Sequence, residues 1–101
     1  MTNDERETFK RALDRWGTEA QVNMLHEEIG ELLVALNKLW RTNGAEERGT
    51  CRVHVVEEIE DVRIMLDQML ILIGVTEKEA ENQRRAKVQR LRTRLGRPVL
   101  P

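Results

Sequence analysis

The sequence contains little cysteine, proline or aromatic residue. Cys51 is the only cysteine, which excludes an internal disulfide framework and favours the reducing cytoplasm as the location of the protein. Both prolines lie within the last four residues, so no proline interrupts a helix before them. Only 3% of the residues are aromatic, whereas 40% are hydrophobic and 35% are charged. This composition predicts an all-α protein.

Long hydrophobic runs are also missing. The longest, from Met69 to Ile73, is far shorter than the roughly 20 residues that a membrane-spanning helix requires. The N-terminal segment is polar and charged, without the apolar core of a signal peptide. We therefore expect no membrane partner, and we expect the 101 residues to form one domain.

Acidic residues are absent from the C-terminal segment 82–101, which carries seven basic residues. Residues 1–81 hold all 18 acidic residues and 10 basic ones, a net charge of −8. The sequence therefore predicts an acidic body followed by a basic C-terminal helix and short tail, 77–101.

Apolar spacing of three and four residues predicts four helices, with one polar loop at 42–50 between the second and third. The predicted helices are 4–16, 19–41, 51–73 and 77–95. Thr18 with Gln21, and Thr76 with Glu79, match the capping-box pattern. The second half of the third helix is apolar in nearly every direction, which predicts burial by further copies of the chain, as a homodimer or homotetramer.

Two pairs of carboxylates are spaced three residues apart within these helices, Glu28 with Glu31 and Glu58 with Asp61. That spacing lets both members of a pair point at one object, and counting about 100° per residue places them at the border of the apolar stripe. An antiparallel hairpin of the second and third helices lets the two pairs face each other. Four carboxylates without sulfur or imidazole ligands predict Mg²⁺, with Mn²⁺ possible, in preference to Zn²⁺.

A di-iron site is the main competing metal centre. It requires Glu-x-x-His on the helices, and Asn23 and Cys51 stand three residues before the two histidines. His26 and His54 are therefore expected to be surface groups, or to lie behind the metal ligands.

The acidic pattern, Glu-Glu-x-x-Glu followed by Glu-x-x-Asp, resembles that of the MazG-like all-α nucleoside triphosphate pyrophosphohydrolases. The resemblance covers most of residues 15–95, the expected domain core. It includes four further stretches: Trp16-Gly17-x-Glu19-x-Gln21, Leu36-x-Lys38, Glu58-Ile-Glu-Asp61-Val-x-Ile-Met-Leu-x-Gln68 and Lys87-x-x-Arg90-Leu91. It implies a four-helix MazG-like bundle that assembles as a homo-oligomer.

The resemblance also implies an activity, the cleavage of a nucleoside triphosphate between its α- and β-phosphates to give a monophosphate and pyrophosphate. It assigns Mg²⁺ binding to Glu28, Glu31, Glu58 and Asp61 and leaves Glu27 as a group that positions water. Lys38, on the helix edge that carries the first carboxylate pair, is the best-placed candidate for phosphate binding. The remaining candidates are Lys87 and Arg90 for phosphate and, more weakly, Trp16 and Gln21 for the base, although Trp16 also fits a helix core and Gln21 a helix cap.

A non-catalytic role is the alternative interpretation. The basic last helix could bind nucleic acid or protein while the acidic clusters form ordinary surface. Cations without interleaved aromatic residues would give only a salt-dependent contact without sequence preference, so no specific nucleic acid is expected.

Overall fold

The computed structural model describes residues 1–97, and these residues form three α-helices and no strand. Helix α1 spans Asn3–Arg41, α2 spans Ala45–Leu72 and α3 spans Glu77–Arg94. None of the three carries an apolar stretch long enough to cross a bilayer. The predicted all-α class is confirmed for residues 1–97. The helix end expected at Pro98 lies outside the described residues.

Helix α1 contains the first two predicted helices, joined at a kink. Gly17 has φ 85° and ψ 165°, a backbone conformation that is accessible to glycine and costly for other residues. The N-terminus of α1 is closed by a reciprocal capping box between Thr2 and Glu5. The capping box expected at Thr18 is wrong, because the Gln21 amide instead donates a hydrogen bond to Gln68 across the hairpin.

The predicted loop 42–50 is also wrong in length, since α2 begins at Ala45. Glu46 and Glu47 fall in the first turn of α2, where negative charge is favoured by the helix dipole. The Arg48 guanidinium donates to the carbonyl oxygens of Leu39 and Thr42. These bonds give hydrogen-bond partners to backbone carbonyl groups at the C-terminal end of α1. Three residues, 42–44, therefore suffice to reverse the chain.

Helices α1 and α2 pack side by side as an antiparallel hairpin. Its seam is a run of positions spaced alternately four and three residues apart, as in a coiled coil. On α1 these positions include buried Gln21 and Ala35 with half-buried Glu28 between them, and on α2 they include buried Cys51, Val55, Glu58 and Met65. Two of the carboxylates thus occupy seam positions, whereas the sequence placed them at the border of the apolar stripe.

Helix α3 packs little against the hairpin. None of its described residues is buried, and the radius of gyration is 17.0 Å, against about 13 Å for a compact chain of this length. Thr76 caps its N-terminus, because the Thr76 hydroxyl accepts from the Glu79 N–H, but the reciprocal hydrogen bond of the predicted capping box is not formed within residues 1–97. The expected four-helix bundle is not seen within residues 1–97, where a single chain supplies a two-helix hairpin and a third helix beside it.

A matched pair of glycine substitutions tests these boundaries. Gly49 lies inside α2 with open space at its Cβ position, so Gly49→Ala is expected to stabilise the protein by about 0.5–1 kcal/mol. Gly17→Ala is expected to destabilise it by about 1–3 kcal/mol, because alanine is strained at that backbone conformation. Urea denaturation followed by circular dichroism measures both. A neutral or destabilising effect of Gly49→Ala would indicate that this segment is a loop and not part of α2.

Candidate metal centre

One oxygen from each of three carboxylates converges on a common point in the hairpin. The ligand atoms of Glu28, Glu31 and Glu58 all lie within 4.8 Å of one another. Glu28 and Glu31 come from adjacent turns of α1, and Glu58 comes from the facing turn of α2. The predicted meeting of the two acidic clusters across the hairpin is confirmed for these three residues.

Two of the three carboxylates are withdrawn from water. Glu58 is only 8% exposed, and Glu28 is half-buried. Glu28 Oε2 and Glu58 Oε2 are both inaccessible to solvent and have no hydrogen-bond partner. A buried carboxylate oxygen without a partner is costly, since neither water nor protein replaces its lost hydration. These oxygens fit a cation, which would supply the missing interaction.

Burial and mutual repulsion hold these carboxylates back from ionisation. Burial, and then the charges of Glu31, Asp61 and Glu58, raise the pKa of Glu28 from 4.5 to about 7. The pKa of Glu58 is raised by burial and by the charges of Glu31 and Asp61, against a smaller opposing effect of His54. A divalent cation would offset both effects and lower the pKa of each ligand, because its positive charge favours the ionised carboxylate.

Asp61, the fourth predicted ligand, stays outside the tight group of three. It is exposed on α2, one turn beyond Glu58. Its charge is nevertheless close enough to raise the pKa of both Glu28 and Glu58. Its role as a ligand therefore stays a prediction.

Glu27 and Lys38 lie on the same side of the hairpin as the carboxylate group. Glu27 lines a cavity of about 700 Å³ together with Glu31 and Glu58. Lys38 is exposed and lines the neighbouring cavity, of about 500 Å³. We call this side the polar face of the hairpin.

The other predicted binding residues are not gathered at the carboxylates. Lys87 and Arg90 lie exposed on α3 and line neither of the two cavities. Trp16 is 58% exposed, so its interpretation as a core residue is wrong, and the Arg15 guanidinium lies 6.0 Å from its ring centre. Gln21 is buried, and its amide nitrogen is 2.6 Å from Gln68 Oε1.

One residue of the polar face, His54, has a position that the sequence did not predict, because it was expected only at the surface or behind the metal ligands. His54 lines both cavities, and its position four residues before Glu58 was a usable signal, because that spacing places two side chains on one helix face. Gln68 ends the third-helix stretch of the resemblance, but its buried hydrogen bond with Gln21 depends on the antiparallel register and was not predicted.

Comparison with known proteins adds no family assignment. No family model, curated protein or solved structure matches the chain. The candidate function therefore depends on the motif residues and on the geometry of the three carboxylates.

The raised pKa of Glu28 predicts how stability changes with pH. The pKa of Glu28 is about 7 in the folded protein and 4.5 ordinarily. In the metal-free protein, Glu28 therefore contributes stability that is fully present below pH 4.5 and is lost as the pH rises through 7. Glu28→Gln is expected to remove this fall in the free energy of unfolding. The fall is on the order of 1–2 kcal/mol, because partial exposure screens the charge.

Urea denaturation in chelator across this pH range measures the difference. Glu60→Gln is the matched control, because Glu60 is exposed on α2 and pairs with Arg63 at 3.5 Å, away from the carboxylate group. Parallel stability curves for wild type and Glu28→Gln would contradict the assignment of the fall to Glu28.

Proposed function

We propose that the protein is a Mg²⁺-dependent nucleoside triphosphate pyrophosphohydrolase. It hydrolyses an NTP or dNTP between the α- and β-phosphates, so that water supplies the oxygen and the products are a nucleoside monophosphate and pyrophosphate. The observation that carries the proposal is the convergence of three carboxylates, two of them with buried oxygens that lack a hydrogen-bond partner. The MazG-like motif supplies the reaction type.

Glu28, Glu31 and Glu58 would hold the cation, with Asp61 as the fourth ligand. Oxygen ligands of this kind suit Mg²⁺, and Mn²⁺ is compatible with the same set. Bound Mg²⁺ would screen the triphosphate, polarise the attacked phosphorus and lower the pKa of a coordinated water. The exposed Glu27 carboxylate, which lines the same cavity, would orient the attacking water.

The cationic residues have separate roles in this proposal. Lys38 would neutralise phosphate charge from within the hairpin that holds the carboxylates. Lys87 and Arg90 would contribute only if α3 of another copy approached the site, since within one chain they do not line its cavities. Trp16 and Gln21 stay weak candidates for contacts with the base.

Self-association is supported by the face of the hairpin opposite the polar face. Five apolar residues lie on this side: Ile29, Leu33 and Trp40 on α1, and Ile59 and Leu66 on α2. Each comes one residue after a seam position, and on two antiparallel helices that offset leads to the same side of the hairpin. Trp40 is 78% exposed and Leu66 is 47% exposed. We call these five residues the apolar face. Two hairpins joined through it would form a four-helix bundle and leave both polar faces open, as expected for a homo-oligomeric cytoplasmic enzyme.

The activity is tested with purified protein and a panel of NTPs and dNTPs, with pyrophosphate release measured with and without Mg²⁺. Wild type is expected to release pyrophosphate only with the metal. Glu58→Gln and Glu31→Gln are expected to lower kcat/KM at least ~100-fold, because each removes a ligand charge. Glu60→Gln, on the same helix, is expected to retain activity. Release of orthophosphate, or full activity in the ligand variants, would contradict the proposal.

The apolar face is tested by light scattering after size-exclusion chromatography. Leu66→Glu places a charge in the proposed interface and is expected to yield a smaller species than wild type. Ile64→Glu is the matched control, because Ile64 is similarly exposed, at 42%, but lies on the polar side of α2. Equal sizes for all three proteins would contradict association through this face.

The loose attachment of α3 favours a second candidate function. None of its described residues is buried, and Lys87 and Arg90 are exposed, so this helix could bind nucleic acid or an acidic protein surface by charge. Salt-dependent binding of an oligonucleotide by wild type, without pyrophosphate release from any nucleotide, would favour this alternative.

A further inference from the structure

His54 occupies the point at which the two cavities of the polar face meet. One cavity contains Glu27, Glu31 and Glu58, and the other contains Lys38 and Thr50. His54 lines both of them. The two cavities therefore adjoin at the imidazole, with the carboxylates on one side of it and Lys38 on the other, and we call them together the groove.

The imidazole lies at ion-pair distance from two carboxylates but keeps about half of its surface open to a ligand. Its Nε2 lies 3.8 Å from Glu58 Oε1 and its Nδ1 lies 3.8 Å from Glu57 Oε2, both beyond ordinary hydrogen-bond length. The side chain is 53% exposed, and no hydrogen bond to it is formed within residues 1–97. An imidazole carries at least one N–H donor in either protonation state.

The charges along the groove define which group it accommodates. The carboxylate end suits a cation, and the opposite end offers the Lys38 ammonium and the Thr50 hydroxyl. Lys38 is seven residues beyond Glu31 on α1, about 10.5 Å along the helix axis, and His54 lies between them on the facing helix. Glu57 also lines this end, but its side chain is 67% exposed and its charge is therefore screened by water.

We propose that His54, together with Lys38, binds the diphosphate part of the substrate, so that the β- and γ-phosphates extend from the metal site toward the loop 42–44. This inference rests on the proposed function, and it adds the direction in which the substrate lies. The nucleoside then lies toward the opposite end of the groove, on the side of Gln21 and Gln68. The imidazole N–H donates to a phosphate oxygen, and Lys38 neutralises the terminal phosphate.

Binding of inorganic pyrophosphate tests this direction without requiring turnover. Titration calorimetry with pyrophosphate in saturating Mg²⁺ is expected to show about 10-fold weaker binding for His54→Ala than for wild type, the loss typical of a hydrogen bond to a charged group. His54→Gln keeps an N–H donor and is expected to recover part of the affinity. His26→Ala is the matched control, because His26 is exposed on α1 and lines neither cavity.

Two further measurements separate this inference from its competitors. Mg²⁺ binding without phosphate is expected to stay within about twofold of wild type in His54→Ala, because His54 is assigned to the phosphate and not to the metal. Binding of a nucleoside monophosphate in Mg²⁺ is expected to be similarly unaffected. A loss of metal affinity equal to the loss of pyrophosphate affinity would overturn the inference, since His54 would then act through Glu58.

Three other results would each bear on one part of the proposal: the direction of the substrate, the role of His54 and the proposed function. Weakened monophosphate binding with unchanged pyrophosphate binding would reverse the direction of the substrate and overturn the inference. Unchanged pyrophosphate affinity in His54→Ala, with metal-dependent hydrolysis by wild type, would overturn the role of His54 and leave the proposed function standing. Absence of hydrolysis by wild type would instead count against the proposed function itself.

Discussion

Glu28 and Glu58 occupy positions in the α1–α2 seam at which a helical hairpin normally places apolar side chains. Each has an oxygen sealed from solvent without a hydrogen-bond partner, and their neighbours Glu31 and Asp61 add further negative charge. The hairpin therefore carries an electrostatic cost within its buried seam. A divalent cation would convert that cost into favourable ligation, so stability, pH response and metal binding depend on the same few atoms.

The rest of the hairpin is arranged around that seam. Because the helices are antiparallel, one side of the hairpin carries the groove with His54 and Lys38, and the opposite side carries the apolar face. The buried apolar core is small within residues 1–97, where it comprises Phe9, Ala35, Cys51, Val55 and Met65. A core of this size gives little stability to a single chain, and the unburied α3 adds little more. The same limitation makes association with further copies physically reasonable.

Local signals predicted most of the secondary structure. Gly17 marked the kink in α1, and Thr76 marked the start of α3 at Glu77, since these features depend only on neighbouring residues. The loop was overpredicted because Gly49 and the polar residues before it resemble a turn. The Arg48 contacts to the end of α1 need the folded hairpin to exist, and local pattern does not contain them.

The amino-acid sequence by itself determined that the chain is helical and that its acidic pairs can face one cation, because a spacing of three residues fixes the direction of side chains on a helix. Only the tertiary structure decided that Glu28 and Glu58 lie inside the seam, that Asp61 stands outside the group of three, and that His54 joins two cavities. These facts depend on the rotation and register of one helix against the other. Register is set by the sum of all seam contacts, so no single motif reveals it.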